Sequence, residues 1–136
     1  MGFKLGKKSL EKLNGVHPDL VKVVKRAIEL TEIDFSVGEG LRTLEKQKEY
    51  LAKGATTTLK SRHLTGHAVD LFAFVGKEVR WDARLYHKIK DAMFAAGKEF
   101  GVPIRWGGDW DCDGDSGDEK FFDGPHFELP RSTRYP

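Results

Sequence analysis

The run His67 to Val75, HAVDLFAFV, constrains the fold most. It alternates at the period of a β-strand, with Val69, Leu71 and Ala73 on one face and Asp70, Phe72 and Phe74 on the other. Asp70 is the odd member of its face. Pro18 to Thr31 sets Leu20, Val24, Ala27 and Ile28 at helical spacing, and Pro18 suits a first helical turn. Asp34 to Gly40 reads as a short strand, and Thr43 as the N-cap of a helix that contains Gln47 and stops near Gly54. Asp82 to Phe100 is the longest expected helix, with Leu85, Ile89, Ala92, Met93 and Ala96 as its core stripe and Gly101 as its stop. Short strands are expected around Ile104 to Trp106 and in the final PHFELP segment. Helices and short strands without a βαβαβ rhythm argue an α+β fold.

Composition narrows the classes. A chain of 136 residues, 39% hydrophobic and 32% charged, fits one globular domain over residues 1–136 with a single core. A net charge of +2 is too balanced for a protein living by phosphate contacts, so nucleic acid is not an expected partner. No apolar run approaches the roughly 20 residues that span a bilayer, and the opening MGFKLGKKSLEKLNG lacks the apolar stretch of a signal peptide. The lone Cys112 has no intramolecular disulfide partner, and the acids around it disfavour a thiolate nucleophile.

Reactive residue types concentrate in SRHLTGHAVD (61–70), in the acidic loop 109–123 and in DGPHFEL (123–129). Zn2+ accepts imidazole and carboxylate, and catalytic sites use three protein ligands with one position left for water. Two assignments compete. His63 and His67 have the i, i+4 spacing of a helical zinc pair, but the intervening Glu of HExxH is missing and Thr65-Gly66 makes a poor helix. Alternatively His63, Asp70 and His126 supply two imidazoles and a carboxylate, with Asp123 as a spare acid. Zn2+ lowers the pKa of bound water toward about 7, and a spare carboxylate moves the proton to a leaving amine, as peptide hydrolysis requires. Asp123 can equally cap a turn before Gly124-Pro125, Arg42 can pair with Glu39 or Glu45, and Glu128 can support His126 or be solvated.

Ser61-Arg-His63-Leu-Thr-Gly66-His-Ala68-Val-Asp70 resembles the S-x-H-x-x-G-x-A-x-D motif of the zinc DD-peptidase-like family (peptidase M15). Asp123-Gly-Pro-His126 resembles that family's second motif, and Gly40-Leu-Arg42-Thr-Leu-Glu-Lys-Gln47 its G-x-R-[ST]-x-x-x-Q element. Order and spacing over almost the whole chain are most similar to the L-alanyl-D-glutamate peptidase endolysins of tailed phages. The resemblance implies a small antiparallel sheet with flanking helices, the fold shared with hedgehog domains. It implies His63, Asp70 and His126 as zinc ligands and Asp123 as general base. Arg42 would bind or polarise substrate carbonyls or carboxylates, and Ser61 would help orient substrate. His67 occupies a variable position and is a tempting fourth ligand, but a fourth protein ligand would close the site to water.

Asp109, Asp111, Asp113, Gly114 and Asp115 fall at positions resembling 1, 3, 5, 6 and 7 of an EF-hand loop, but position 12 is Lys120. So many carboxylates in one loop still favour a hard cation, with a solvated acidic loop as the alternative. Calcium dependence in the tailed-phage group implies Asp109, Asp111, Asp118 and Glu119 as Ca2+ ligands, and Asp113 and Asp115 less directly. Ordering this loop would position Asp123 and His126, which makes it a candidate calcium switch.

The expected function is a zinc metallopeptidase that cuts the stem peptide of peptidoglycan at the L-Ala–D-Glu bond as a phage lysis enzyme. Its rivals are a D-Ala-D-Ala dipeptidase or carboxypeptidase and a non-catalytic metal-binding module. A monomer is expected, with no separate wall-binding domain. It would accumulate in the host cytoplasm and reach the wall through another lysis protein's pore. Residues 109–123 carry a net charge of −6, residues 1–108 carry +7 and residues 124–136 carry +1. Cation binding by the loop would leave a positive body able to approach an anionic envelope.

Overall fold

A computed structural model describes residues 3–54, 61–109 and 123–136. Among the described residues, four helices flank a five-stranded sheet: α1 (Lys7–Lys12), α2 (Pro18–Leu30), β1 (Asp34–Glu39), α3 (Leu44–Ala52), β2 (Ala68–Val75), β3 (Glu78–Arg80), α4 (Ala83–Phe100), β4 (Arg105–Trp106) and β5 (His126–Glu128). All pairings are antiparallel in the order β1-β2-β5-β4, and β3 pairs with β2. This is the expected α+β architecture, and β2 is its hub. β1 takes one edge of β2, while β5 and β3 divide the other, at residues 68–70 and 73–75 respectively.

The alternation of β2 decides which side is core. Val69, Leu71 and Ala73 are fully buried beneath α2 and α4, with Phe35 and Val37 of β1 beside them. The helices answer with Leu20, Val23, Val24, Ala27 and Ile28 from α2 and Leu85, Ile89, Ala92, Met93 and Ala96 from α4. Burying each large aliphatic side chain contributes about 1.5–3 kcal/mol. Local signals set the helix ends: Pro18 opens α2, Thr43 Oγ1 accepts from the Lys46 amide at the start of α3, and Gly101 ends α4 in the left-handed conformation. Asp82 stands at the N-cap of α4 but makes no side-chain capping bond.

Two elements escape the sequence patterns. α1 has only six residues, too few for a helical period to show, and is tied to the sheet where Ser9 Oγ accepts from the Val37 amide at 3.0 Å. β3 follows Gly76 as the second arm of a hairpin.

A third unexpected feature anchors the end of the chain. Arg62 is buried, and its guanidinium donates to the carbonyls of Leu129 (2.8 and 3.2 Å), Tyr135 (3.1 Å) and Pro136 (2.8 Å). Tyr135, also buried, donates its hydroxyl to Asp19 at 2.6 Å. Arg62→Met removes the donors from the carbonyls of the buried Leu129 and Tyr135, each worth about 1 kcal/mol or more when left unpaired, whereas Pro136 is exposed and finds water. The variant is expected to lose about 2 kcal/mol of unfolding free energy in a denaturant titration; an unchanged midpoint would show that the carbonyls find other partners.

Candidate metal centre

The sheet's other face carries the site. A bulge between Val37 and Glu39 brings Glu39 opposite Asp70, and the β2–β5 register sets His126 opposite Asp70 on the other side. Directly opposed residues share a face, so Glu39, Asp70 and His126 form a row across three strands. His63 joins them from a 3-10 turn, Arg62–Thr65, which Ser61 caps by accepting from the His63 amide at 3.2 Å. Gly66, at φ 75°, ends that turn in a conformation few L-residues adopt. The turn therefore cannot continue as a helix through His67.

One ligand atom each from His63, Asp70 and His126 lies within 4.8 Å of the others. His63 Nε2 is 3.3 Å and His126 Nδ1 3.5 Å from Asp70 Oδ1. The outward nitrogens are held as well: His63 Nδ1 donates to the Gly40 carbonyl at 2.9 Å, and His126 Nε2 donates to Glu128 Oε1 at 2.8 Å. A carbonyl and a carboxylate only accept, so both outward nitrogens carry hydrogen, and the inward nitrogens turn to a shared point beside a carboxylate oxygen. Two imidazoles and one carboxylate match the donor set of an open zinc site, and the donors fit such an ion.

Charge in the cluster is tightly coupled. Burial works against ionising Asp70, but hydrogen bonds from His126 and His63 overcome it and hold the carboxyl below the usual carboxylate range. Burial likewise opposes a charge on His126, yet the bonds to Asp70 and Glu128 push its pKa up to about 9. This is above the ordinary histidine value, so the charged imidazole stabilises the metal-free fold below about pH 6.5, and that contribution is lost as pH rises through about 9. A metal must displace that proton. Metal affinity is expected to rise about tenfold per pH unit up to about pH 9. Calorimetry in buffers of different ionisation enthalpy should find one proton released per ion at neutral pH; release of none would contradict a protonated His126.

Asp123 adjoins the cluster. Burial first, then the negative charge of Asp70, raises its carboxyl above the usual range, while His126, His63 and Arg42 pull it down. Its backbone is fixed from both sides: the amide donates to the Gly107 carbonyl at 2.9 Å, and its carbonyl accepts from the His126 amide at 3.1 Å. The Gly107 amide donates to the His126 carbonyl at 2.8 Å. A Cβ at Gly107 would come within 2.3 Å of the Asp123 carbonyl oxygen and 3.0 Å of the His126 Cβ, so a side chain there would displace both residues. Trp106, buried beneath this loop, donates its indole N–H to the Gly124 carbonyl at 2.7 Å.

Arg42 lies beside the row. It donates through Nε to Glu39 Oε1 at 2.7 Å and through Nη1 to Gln47 Oε1 at 2.6 Å, and Nη2 also bonds Glu39. Its guanidinium stacks on Tyr50, 4.7 Å from the ring centroid, and Tyr50 donates its hydroxyl to Glu39 at 3.1 Å. The pairing with Glu39 weighed from the sequence is thus present. Gln47 and Arg42, separate positions of the G-x-R-[ST]-x-x-x-Q element, meet in one hydrogen bond.

His67 is turned elsewhere. Its Nδ1 bonds Thr65 Oγ1 at 2.7 Å and its ring lies 5.4 Å from that of His17 and 6.4 Å from that of Tyr135, outside the donor group. Glu128, left open between support and solvation, is buried against His126. Partners that orient a ligand histidine are typically worth about 10–100-fold in metal affinity. Glu128→Ala is expected to weaken zinc binding by that factor in a competition titration with a chromophoric chelator, and unaltered affinity would remove Glu128 from the site. Of the proposed calcium ligands only Asp109 is described, its amide donating to the Trp106 carbonyl at 3.1 Å. Asp111, Asp118 and Glu119 lie outside the described residues, as do Asp113, Asp115 and Cys112.

A His–Asp–His group on one face of a small antiparallel sheet could hold a metal ion, as a metallopeptidase requires. Residues 1–130 match the family model for phage L-alanyl-D-glutamate peptidases, and the chain belongs to that family. It is 38% identical over 136 residues to the L-alanyl-D-glutamate peptidase of Escherichia phage T5, covering 95% of this chain and 99% of that one. It is 32% identical over 125 residues to the L-alanyl-D-glutamate peptidase of Listeria phage A118, covering 90% of this chain and 41% of that protein. Among solved structures, the crystal structure of the Serratia marcescens L-Ala D-Glu endopeptidase ChiX superposes with a TM-score of 0.82 at 43% identity, covering 91% of this chain and 87% of that one.

Proposed function

We propose that this chain is a zinc metallopeptidase of peptidoglycan that cuts the L-Ala–D-Glu bond of the stem peptide during phage lysis. The observation that carries the reading is the convergence of His63 Nε2, Asp70 Oδ1 and His126 Nδ1 on one point beside Asp123. Family membership and relatives named for this bond support the choice of substrate.

His63, Asp70 and His126 would hold the ion, which when bound supplies a Lewis acid that polarises the scissile carbonyl and activates water. The protein supplies the rest. Asp123, its carboxyl raised above the usual carboxylate range by burial and by Asp70, takes a proton from the attacking water and returns it to the leaving amine. Arg42, braced by Glu39, Gln47 and Tyr50, offers its remaining N–H donors to a substrate carbonyl or carboxylate. Ser61 sets the turn that aims His63, and its hydroxyl orients substrate.

We further propose that the acidic loop binds Ca2+ through Asp109, Asp111, Asp118 and Glu119 and aligns Asp123, that the catalytic unit is a monomer, and that it reaches the wall through another lysis protein's pore. Among the described residues no helix is long and apolar enough to cross a membrane. Two chelation experiments separate the ions. Removing zinc should abolish release of new amino groups from purified peptidoglycan, and added zinc should restore it; hydrolysis that survives zinc removal overturns the reading. A Ca2+-selective chelator that leaves zinc in place should also suppress hydrolysis, and an unchanged rate overturns the calcium switch.

A further inference from the structure

The face of β2 that carries Asp70 continues into a patch of half-buried Phe72 and Phe74 and exposed Trp81 that the metal site does not use. Phe72 and Phe74 follow Asp70 on the same face, at the roughly 6.8 Å step of two strand residues. β3 pairs Ala73 with Arg80 and Phe74 with Val79, so the next step along the chain brings Trp81 beside Phe72. The Phe72 and Trp81 rings meet edge to face, with centroids 5.3 Å apart and an interplanar angle of 67°. Phe72 is seated on Gly38 of β1, where a Cβ would come within 2.2 Å of its ring. Trp81 is backed by Tyr86, nearly parallel at 6.2 Å, and Tyr86 is itself buried and fixed by hydrogen bonds to Arg80 and Ala73. The platform is therefore braced from behind, yet Trp81 remains 63% exposed.

We propose that Phe72 and Trp81 form a sugar subsite that stacks against the glycan strand to which the stem peptide is attached. The proposal rests on the peptidoglycan reading above. In that substrate L-Ala is joined directly to the lactyl group of a muramic acid, so a sugar ring begins about two residue lengths from the scissile bond, roughly 7 Å. This matches the step from Asp70 to Phe72. The opposite side of the scissile bond carries the carboxylates of D-Glu and the residues beyond it, and these call for cations. The patch is Phe72, Phe74, Val79 and Trp81, and the adjoining Arg80 is paired with Asp82 at 3.1 Å. An exposed indole face with a polar edge suits the C–H face and hydroxyls of a pyranose better than a charged peptide. Arg42, on the other flank of the metal row, is the group suited to the carboxylates.

The test compares a disaccharide-linked stem peptide with the same peptide lacking sugar, and adds binding of peptide-free glycan chains measured by calorimetry. Wild type should prefer the disaccharide substrate by about tenfold in kcat/KM, through KM, which corresponds to about 1.4 kcal/mol. Trp81→Ala should reduce that ratio to near one and lose glycan binding, whereas Trp81→Phe should keep most of both. Equal use of the two substrates by wild type, or an unchanged ratio in Trp81→Ala, overturns the subsite while leaving the hydrolytic reading intact. Glycan binding that disappears in Trp81→Ala, with neither substrate cleaved by wild type, sustains the subsite and overturns the hydrolytic reading. Neither binding nor cleavage overturns both.

Discussion

Asp123→Asn is expected to lower kcat by roughly 10²–10⁴-fold, the usual contribution of a positioned acid–base group, while leaving zinc content and folding intact. Asparagine keeps the shape of the side chain and both backbone bonds, from the Asp123 amide to Gly107 and from the His126 amide to Asp123. It removes a carboxylate whose charge is disfavoured by burial and by Asp70. A carboxyl with a raised folded pKa destabilises the fold above that pKa, so at neutral pH the amide should unfold at the same temperature or slightly higher. Turnover on peptidoglycan fragments, elemental analysis and thermal unfolding check the three parts. Full turnover with zinc retained would refute Asp123 as the base.

His63→Ala should have an equally large effect by another route. It removes one of three donors and the only one not carried by the sheet, leaving Asp70 and His126 as an incomplete pair. Zinc should fall from stoichiometric to residual by elemental analysis, and activity should fall with it. Because His63 also bonds the Gly40 carbonyl through Nδ1, His63→Asn serves as a second variant whose amide N–H can keep that bond while remaining a poor zinc ligand. Stoichiometric zinc in both variants would exclude His63 as a ligand.

These two variants probe residues named in the sequence through their resemblance to family motifs. His63 and Asp70 fall in one ten-residue motif and Asp123 and His126 in another, whereas spacing alone also left the His63–His67 pair open; the fold brings His63, Asp70 and His126 together. The alternation of β2 separated its two faces, but with Phe72 and Phe74 beside Asp70 it did not say which of them is core. The supporting residues were less legible, and least so where their roles depend on contacts across the chain. Arg62 sits at a variable motif position, and its partners are 67 to 74 residues away. The local pairing of Arg42 with Glu39 was open to sequence reading, but the place of Glu39 beside Asp70 was not, because it depends on a bulge. Glu128 had the right strand parity to support His126, but parity does not distinguish a buried carboxylate from a solvated one. Trp81 gave no signal, since its pairing with Phe72 depends on β3, a three-residue strand too short to stand out.

The most direct test of the central claim is digestion of purified peptidoglycan by the zinc-loaded protein, with mass-spectrometric identification of the newly freed amino termini. New D-Glu amines are the predicted result, with L-Ala left on the glycan side. Released D-Ala would instead identify a carboxypeptidase using the same centre, and no new amino termini would contradict a hydrolytic role altogether.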